Sequence, residues 1–537
     1  MNHLIAFVAG LALHILIFSR GEWDGHARDI VAGSVLLNVG VAAVLHATSL
    51  ADHWRTSFRA STTLELTAIA GLFTSMLLYR TFFHVLCKYP GPFAARLSNL
   101  HILNLSRRFR LYKELHQLHM QYGDIVRLGP STISVSKLEA VHVIHGPRSK
   151  CRKGPWYEYS KPMTSLHTSR DPAVHAQRRV SWERGLNSAA LRNYKPIVTQ
   201  TTHNLMDRIN ASQGQVFNAS KWFNLFSVEI MGWMAFGRSF NALATGKETY
   251  FMELIHESEP IFGTVVHVSW LFILMKQIPF LAGPFNVFRK WLRAQLLSQM
   301  NSPPGTSCNL FSTLLEDYPS FEELTEKQRL SLEGDMFVIV IAGSETVTVS
   351  LQTLFYELSN HQDAQKRLQQ EIDEFYVKHD EADPVLLSKM GYLQACINET
   401  LRLWPPVPSG AQRITPPEGI HVGDAFIPGN TLVHVPTYLM HRKEEAFPRP
   451  NEFIPERWTT KPELIADRSV YYPFSAGKYS CVGKQLALVE LRQVAVEVLR
   501  RYTVELAPGF TSRDFEGGLR DRFSMQAKRL DLVFKAR

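Results

Sequence analysis

Three apolar runs in the first 83 residues constrain this fold more than any other feature of the sequence. They cover about residues 3–18, 30–50 and 63–83. A helix needs about 20 mostly apolar residues to span a bilayer, so each run either enters lipid or is buried in protein. The third is the best candidate span despite Glu65, whereas the second carries Asn38 and the first is short and contains His14. We therefore predict a membrane region over residues 1–87 with up to three transmembrane helices.

Other interpretations of these runs remain open at this point. The first run could equally be a signal-anchor, a weak span or a cleaved signal, and together the runs could form a buried hydrophobic subdomain. Arginines in the connecting segments leave the topology undecided, while the basic residues after the third run favour a cytosolic C-terminal part. The stiff segment KYPGPF, residues 88–93, would then join the anchor to a single domain over residues 88–537.

The composition of the chain restricts its partners. It is ordinary for a globular protein, with 45% hydrophobic and 20% charged residues. The net charge of +9 fits an acidic protein or an anionic membrane surface. The sequence has no nucleic-acid motif, so we expect no nucleic-acid partner. The five cysteines, an odd number spread far apart, argue against a disulfide framework or a paired-cysteine zinc site. They are Cys87, Cys151, Cys308, Cys396 and Cys481.

Helical patterns dominate the domain. Residues 330–360 lack proline and predict one long apolar helix, and residues 386–404 predict another that Pro405 stops. Apolar residues spaced three and four apart predict a third helix from Cys481 to about Tyr502. Short alternating runs such as DIVRLGPSTISVS predict a few strands. The predicted fold class is mainly α with a minor β sheet.

Cys481 stands at the start of that third predicted helix. A thiol there meets free backbone N–H groups and the positive end of the helix dipole, and both stabilise a thiolate. Thiolate is one of the axial ligands that proteins supply to haem iron. On this residue alone, however, simple packing of a buried cysteine is the commoner outcome.

The surrounding residues narrow the choice. The segment FSAGKYSCVG fits F-x-x-G-x-x-x-C-x-G with Phe474, Gly477, Cys481 and Gly483. It resembles the haem-binding loop of the cytochrome P450 family. The resemblance implies haem b with an axial thiolate from Cys481. Many members have arginine two residues before the cysteine, whereas this chain has Tyr479, which can donate a hydrogen bond to a propionate but brings no charge.

A second motif is the pair Glu399 and Arg402 in NETLRLWPP. Alone it would be an exposed ion pair worth under about 1 kcal/mol. In the family this pair is buried and is joined by an arginine from a later loop, which Arg457 in NEFIPERW matches. The resemblance gives these residues a structural role.

A third motif, IAGSETV, lies inside the long predicted helix and resembles the oxygen-binding motif of the family. By that resemblance Gly343 would leave room for dioxygen, and Glu345 and Thr346 would relay protons. The alternative from the residues alone is a hydroxyl bonded back to the preceding helical turn.

Two further places match groups that hold the haem propionates in the family. His175 and Arg179 lie four apart in HAQRR, and Arg413 lies in SGAQRITP. Donors on one helix face can bind paired carboxylates. The alternative for each arginine is a solvated surface charge.

The resemblance covers residues 88–537 and implies a P450-like haem-thiolate fold behind the N-terminal membrane anchor. The segment EIMGWMAFG, residues 229–237, is similar to one common in filamentous-fungal members. The implied activity is that of a membrane-bound monooxygenase. It would oxidise an apolar small molecule, a fungal secondary metabolite such as an alkaloid, terpenoid or polyketide.

The resemblance also implies partners and a location. Electrons would come from NADPH through cytochrome P450 reductase, with cytochrome b5 as a possible second donor, and Lys478, Lys484 and Arg492 would meet the reductase. The enzyme would lie in the endoplasmic reticulum membrane with its catalytic domain facing the cytosol. The substrate pocket is expected around residues 163–168, 262–270 and 407–409 and at Ser344.

Two alternatives stay open. One is a haem-thiolate isomerase or dehydratase that needs no reductase, and the other is a haem sensor or carrier without turnover. Glu345 and Thr346 disfavour both, because neither alternative needs a proton relay.

Overall fold

The computed structural model describes residues 1–48, 53–301 and 309–537. The end of the second apolar run and Cys308 lie outside the described residues. The described chain is mainly α-helical with small sheets, which confirms the predicted fold class. Its helices are α1 Asn2–Leu13, α2 Ala27–Ala47, α3 Trp54–Leu78, α4 Phe93–Leu97, α5 Leu100–Ser106, α6 Leu111–Tyr122, α7 Pro172–Gly185, α8 Ser188–Ala211, α9 Ala219–Phe236, α10 Ala242–Thr245, α11 Tyr250–Val265, α12 Ser269–Met275, α13 Pro279–Met300, α14 Leu310–Leu315, α15 Glu326–Asn360, α16 Gln362–Lys378, α17 Pro384–Leu387, α18 Gly391–Leu403, α19 Thr437–Met440, α20 Lys484–Arg501 and α21 Ser512–Gly518.

The strands form one larger sheet, one three-stranded sheet and two hairpins. They are β1 Ile125–Gly129, β2 Thr132–Val135, β3 Arg152–Lys153, β4 Val216–Asn218, β5 Arg413–Ile414, β6 Ile420–Val422, β7 Ala425–Ile427, β8 Leu432–His434, β9 Tyr502–Leu506, β10 Leu519–Arg522, β11 Ser524–Ala527 and β12 Asp531–Ala536. The larger sheet has the order β1-β2-β8-β5-β3, in which only β2 and β8 run parallel. The three-stranded sheet has the order β4-β12-β9, and the hairpins are β6–β7 and β10–β11.

The first three helices pack as a bundle. Gly10 on α1 faces the backbone of α3 so closely that a Cβ there would lie 1.9 Å from the Ala68 carbonyl oxygen. Glycine therefore lets these two helices approach, as small residues do between membrane helices. The Nδ1 of His14 lies 2.8 Å from the Ser75 hydroxyl, so α1 and α3 run in the same direction. Wider π-type turns extend α1 to Phe18 and α3 to Phe83.

The second helix runs antiparallel to the third. The Nδ2 of Asn38 on α2 donates to the Glu65 carboxylate of α3 at 2.6 Å, and the Ser34 hydroxyl donates to the same carboxylate. The Ser61 hydroxyl donates to the Asn38 carbonyl at 2.8 Å. The polar residues that weakened the two runs as spans thus satisfy one another between the helices, as polar groups away from water require.

Among the described residues, three helices are long and apolar enough to cross a membrane. They are Asp24–Ala47, Trp54–Phe83 and Glu326–Asn360; the bent pair Ser269–Met275 and Pro279–Met300 passes the same test as one unit. The helix Asn2–Phe18 is apolar but shorter. In Glu326–Asn360, 61% of the apolar window is buried inside the protein, so this helix belongs to the core of the body.

The N-terminal bundle contacts the body at several places: α2 and the turn before it pack against α12, and two arginine side chains of the body donate hydrogen bonds to the bundle. The buried Arg127 guanidinium donates to the Arg80 carbonyl at 3.2 Å, at the end of the third helix. In the segment between α1 and α2, Glu22 accepts from Arg170 at 2.8 and 2.9 Å. Arg170 also donates to Glu158 at 2.8 Å, so one guanidinium joins the N-terminal bundle to the segment that precedes α7.

Two predicted helix boundaries are wrong. The helix predicted from residue 386 begins at Gly391, because the Glu371 carboxylate accepts the N–H groups of Tyr392 and Leu393 at 2.8 Å each and so caps it there. The helix predicted from Cys481 begins at Lys484 and ends at Arg501. Cys481 lies in the preceding loop, since its N–H donates back to the Phe474 carbonyl at 2.8 Å.

Candidate functional site

The long helix α15 crosses the body, and a cavity of about 670 Å³ lies between it and the Cys481 loop. This volume is in the range of small-molecule sites. Most of the lining is apolar, and polar side chains collect in a few places. Residues of α15, of the loop before α20 and of the segment before α7 all line this one cavity.

The thiol of Cys481 opens onto the cavity. Burial raises the pKa of this thiol, and the backbone N–H groups of Gly483 and Lys484 and the charge of Arg179 oppose that effect without overcoming it. The expected N–H donors are therefore present, but they do not create a thiolate by themselves. A metal cation at the sulfur would supply the missing stabilisation, because coordination deprotonates a thiol.

The two glycines of the loop have different roles. Gly477 has φ +63°, and a Cβ there would lie 2.4 Å from the His145 carbonyl oxygen, so only glycine fits. Gly483 has φ −81°, and its only close neighbour would be the Cys481 sulfur at 3.9 Å. The backbone conformation at Gly483 therefore does not itself require glycine. Phe474 also lines the cavity.

A cluster of cationic and donor side chains occupies one wall of the cavity. Lys153 and Arg413 face each other across β3 and β5, and His175 lies beside them on α7. Burial lowers the pKa of His175 to about 3, helped by the charges of Lys153 and Arg179. The sequence interpretation missed Lys153. Its Nζ donates to the carbonyls of Leu166 and His167 and, within the described chain, has no carboxylate partner.

Several buried polar atoms of this wall have no protein partner among the described residues. They are Tyr479 Oη, Arg413 Nε and both ring nitrogens of His145. Arg413 donates to the Tyr157 hydroxyl at 2.7 Å, and the His175 and Tyr479 rings are 4.8 Å apart. Buried donors without partners are costly unless a ligand supplies acceptors. A positive wall with orphaned donors fits the two propionates of haem.

Arg179, which was predicted to hold a haem propionate together with His175, makes other contacts in the structure. Its guanidinium donates to the Ser480 carbonyl and, at 2.7 Å, to the Glu183 carboxylate. It therefore braces the loop directly before Cys481. It still lines the cavity.

On the α15 side, Gly343, Glu345 and Thr346 all line the cavity. The Thr346 hydroxyl donates to the Ala342 carbonyl at 2.8 Å, the back-bonding considered from the sequence. The Ser524 hydroxyl of β11 donates to the Glu345 carboxylate. A Cβ on Gly343 would lie 2.0 Å from the Met231 sulfur, so the glycine lets α9 approach α15.

Glu399 lies outside the cavity lining, in a fully buried cluster. Arg402 donates to it at 2.8 and 2.9 Å, and Arg457, Trp458 and the Ile454 N–H donate at 2.9 to 3.0 Å. Burial alone would raise the pKa of Glu399. The hydrogen bonds and charges of the two arginines outweigh it, and the pKa lies below its ordinary value.

The expected pocket walls are partly wrong. Leu166, His167 and Val407 line the cavity, but Ser344 is buried and donates to the Val340 carbonyl at 2.6 Å. Ser409 lies off the cavity, where it donates to Asp521. The described residues of 262–270 do not line it, and the Phe262 side chain lies outside the described part. The sequence missed the wall residues Phe272, Met275, Lys276 and Phe285 of α12, α13 and their junction.

The helical body, the cysteine that opens onto a cavity and the cationic wall fit haem and define a haem-thiolate protein. The family model for cytochrome P450 matches residues 90–534. The chain is 42% identical to the cytochrome P450 monooxygenase FCK2 of Fusarium pseudograminearum, over 100% of this chain and 98% of that protein. It is 37% identical to the monooxygenase phqL of Penicillium fellutanum, over 99% and 94% of the two chains. It is 35% identical to the tryprostatin B 6-hydroxylase of Aspergillus fumigatus, over 99% and 96%.

This chain therefore belongs to the cytochrome P450 family. It is an oxidoreductase of the monooxygenase type, and its family binds haem through a cysteine thiolate.

Proposed function

We propose that this chain is a membrane-anchored monooxygenase in which Cys481 is the axial ligand of haem iron. The observation that carries the proposal is the Cys481 thiol, which opens onto the cavity below α15 with the N–H groups of Gly483 and Lys484 directed at it. The other described cysteines, Cys87, Cys151 and Cys396, do not line the cavity.

Haem bound in this cavity supplies an iron centre that activates dioxygen for insertion of one oxygen atom into the substrate. Lys153, Arg413, His175 and Tyr479 would hold its propionates, because their donors collect on one wall. Phe474 and Gly477 shape the loop around the thiolate. Glu399, Arg402 and Arg457 act at a distance from the chemistry by stiffening the body.

The protons for the reaction would come from the wall of the cavity that α15 forms. Ser524 bonds to Glu345, and the next residue of α15, Thr346, also lines the cavity. A carboxylate and a hydroxyl beside each other can pass protons, by way of water, to a reacting oxygen. The Thr346 proton is engaged with Ala342, so its hydroxyl oxygen would act as the acceptor in this relay.

Electrons would come from NADPH through cytochrome P450 reductase, with cytochrome b5 as a second donor. Lys478 and Lys484 are exposed beside the cysteine loop and suit an acidic partner. Arg492, which was expected there as well, is buried and donates to Gln394 at 2.9 Å, so it is removed from the docking surface.

The substrate would be an apolar secondary metabolite, of the alkaloid, terpenoid or polyketide type. The apolar lining supports this, and two relatives carry the name tryprostatin B 6-hydroxylase. Those two proteins resemble this chain over 99% of its length. Residues 1–87 would form the anchor and residues 88–537 the catalytic domain.

The enzyme would lie in the endoplasmic reticulum membrane with the catalytic domain in the cytosol. Glu22, between α1 and α2, contacts the body, and the third helix also ends there at Phe83. Both ends therefore lie on the side of the catalytic domain. Since α1 runs parallel to α3, the N-terminus points away from the body, towards the lumen.

Glycosylation can test this orientation. Asn104 and Asn210 each begin an N-x-S acceptor sequence and are exposed. We expect both to stay unmodified in microsomes, while an acceptor sequence added before Met1 is glycosylated. Modification at Asn104 or Asn210, removed by their change to Gln, would reverse the orientation.

The ligand is tested by the carbon monoxide difference spectrum of the reduced protein in microsomes. We expect a strongly red-shifted Soret band for the wild type and for Cys396→Ala, and none for Cys481→Ala. Wild-type protein that binds haem without this band would overturn the thiolate assignment. NADPH consumption coupled to an oxygenated product separates a monooxygenase from an isomerase or a sensor.

A further inference from the structure

Lys276, which directly follows α12, contributes a lysine ammonium to a largely apolar part of the cavity wall. Its Nζ lies 5.0 Å from the centre of the Phe272 ring and 4.7 Å from that of Phe285. Both rings line the same cavity. Aromatic faces attract a cation when water is excluded, so this pair of rings holds the ammonium group in place.

The hydrogen bonds of Lys276 leave one donor available. An ammonium group has three N–H donors. Lys276 directs two of them to backbone carbonyls of the segment before α7, those of Tyr159 and Lys161, the latter at 2.8 Å. Among the side chains that the structure describes, no carboxylate lies within ion-pair distance of its Nζ. A buried cation without a counterion is costly, so an acceptor that enters the cavity gains by reaching it.

The electrostatic surroundings point the same way. Burial lowers the pKa of Lys276 to about 7, and the charge of Arg289 adds to the effect. Near neutral pH both protonation states of the amine are therefore accessible, and an acceptor that binds the ammonium group would favour the protonated one. The haem-holding cations belong to β3, β5 and α7, whereas Lys276 belongs to the α12–α13 wall.

We propose that Lys276 is a specificity-determining residue whose Nζ donates a hydrogen bond to an oxygen acceptor on the substrate, a carbonyl or a carboxylate. The Phe272 and Phe285 rings beside it would hold a flat apolar part of the same molecule. This inference rests on the proposed monooxygenase function and adds to it the chemical class of substrate: an apolar molecule that carries one oxygen acceptor.

Matched probes test this assignment in the full-length, haem-loaded protein in nanodiscs. The probes are 2-naphthylacetic acid, its primary amide and 2-ethylnaphthalene, which has no acceptor. Dissociation constants come from the shift of the Soret band on titration and, independently, from the concentration dependence of the melting temperature. The variants are Lys276→Met, which keeps the length without the donors, Lys276→Arg, which keeps donors, and Lys290→Met as an exposed control on α13.

In the wild type we expect the amide or the acid to bind about tenfold more tightly than the hydrocarbon, the worth of one hydrogen bond to a charged group. Lys276→Met should remove this preference and leave hydrocarbon binding within about twofold, while Lys276→Arg and Lys290→Met should keep it. A preference for the acid alone identifies a carboxylate site, and a preference for both probes identifies a carbonyl site.

The proposal is overturned if the wild type shows no preference, or if Lys276→Met weakens all three probes equally. The ratio between probes is insensitive to a general loosening of the wall, so a purely structural role of Lys276 would leave it unchanged. The carbon monoxide spectrum of the same preparations reports the haem-thiolate function separately.

Discussion

Lys153 and Arg413 face each other across adjacent antiparallel strands, and both side chains are buried. Like charges at directly opposed positions destabilise a sheet. Burial lowers the pKa of Lys153, and the charge of Arg413 lowers it further. The pair is a strained arrangement for the protein alone. It would become favourable if the two propionates of haem lay against it and supplied the missing negative charge.

Removing either cation should therefore weaken haem retention more than it weakens the fold. We expect Lys153→Met and Arg413→Met each to speed haem transfer to an excess of apomyoglobin by about tenfold or more, as charge-assisted hydrogen bonds are lost. The control is Lys150→Met, since Lys150 is exposed and pairs with Glu418 on the surface. Unchanged transfer rates in both variants would exclude this wall as the propionate site.

Glu399 should be a stability residue without a part in the chemistry. Glu399→Gln leaves the buried guanidinium groups of Arg402 and Arg457 without their counter-charge. Breaking such a buried pair costs about 3–5 kcal/mol. We expect a large fall in melting temperature and in haem content, measured calorimetrically and by absorbance. Glu505→Gln, which breaks an exposed pair with Lys535, should change neither.

The Glu399 carboxylate also predicts how the stability of the fold depends on pH. Because the pKa of Glu399 is lowered by folding, its contribution to stability is present above the ordinary carboxyl pKa of about 4. The contribution is lost as the pH falls through the lower pKa of the folded state. The gap in melting temperature between wild type and Glu399→Gln should thus be full at neutral pH and narrow below about pH 4. A gap that widens on acidification would contradict the assignment.

Gly343 offers a choice between two roles. Gly343→Ala places a methyl group against the Met231 sulfur, an overpacking that costs about 1–3 kcal/mol. If close helix packing is its main role, Met231→Ala in the same chain should restore both the melting temperature and the product formed per NADPH. Recovery of stability without recovery of product would assign the glycine to the dioxygen space instead.

The two loop glycines form a matched pair. Gly477→Ala must hold alanine at φ +63° against the His145 carbonyl, so the left-handed conformation alone costs about 1–2 kcal/mol. We expect it to abolish haem loading. Gly483→Ala has an ordinary φ and room for its methyl group, so the red-shifted band with carbon monoxide should persist. Equal haem loading of the two variants would show that the backbone conformation of the loop does not determine haem binding.

The sequence predicted those parts of the site that lie within short segments. The Cys481 loop, the Glu399–Arg402 pair and the Gly343–Thr346 segment each carry their spacing within a few residues, and the structure brings each set together. Lys153 was missed because its partner Arg413 is remote in sequence and a lysine in CRKGPW resembles a surface charge. Only the sheet makes them neighbours.

The wrong helix boundaries and the missed wall residues have identifiable causes. The start of α18 depends on Glu371, a side chain from another helix that accepts its first N–H groups. The start of α20 depends on a backbone bond from Cys481 to Phe474. The wall residues Phe272, Lys276 and Phe285 come from helices whose apolar faces do not by themselves reveal which side meets a cavity.

The hydrogen bonds that Arg127 and Arg170 donate to the N-terminal bundle have a mechanical consequence. A domain held by one linker can swivel about it, whereas attachment at both Arg127–Arg80 and Arg170–Glu22 removes that rotation. The catalytic domain would then keep a fixed tilt and height relative to the bilayer. Replacing the bundle with a single foreign transmembrane span would keep the protein at the membrane. The orientation of its reductase-docking face relative to the bilayer would then vary.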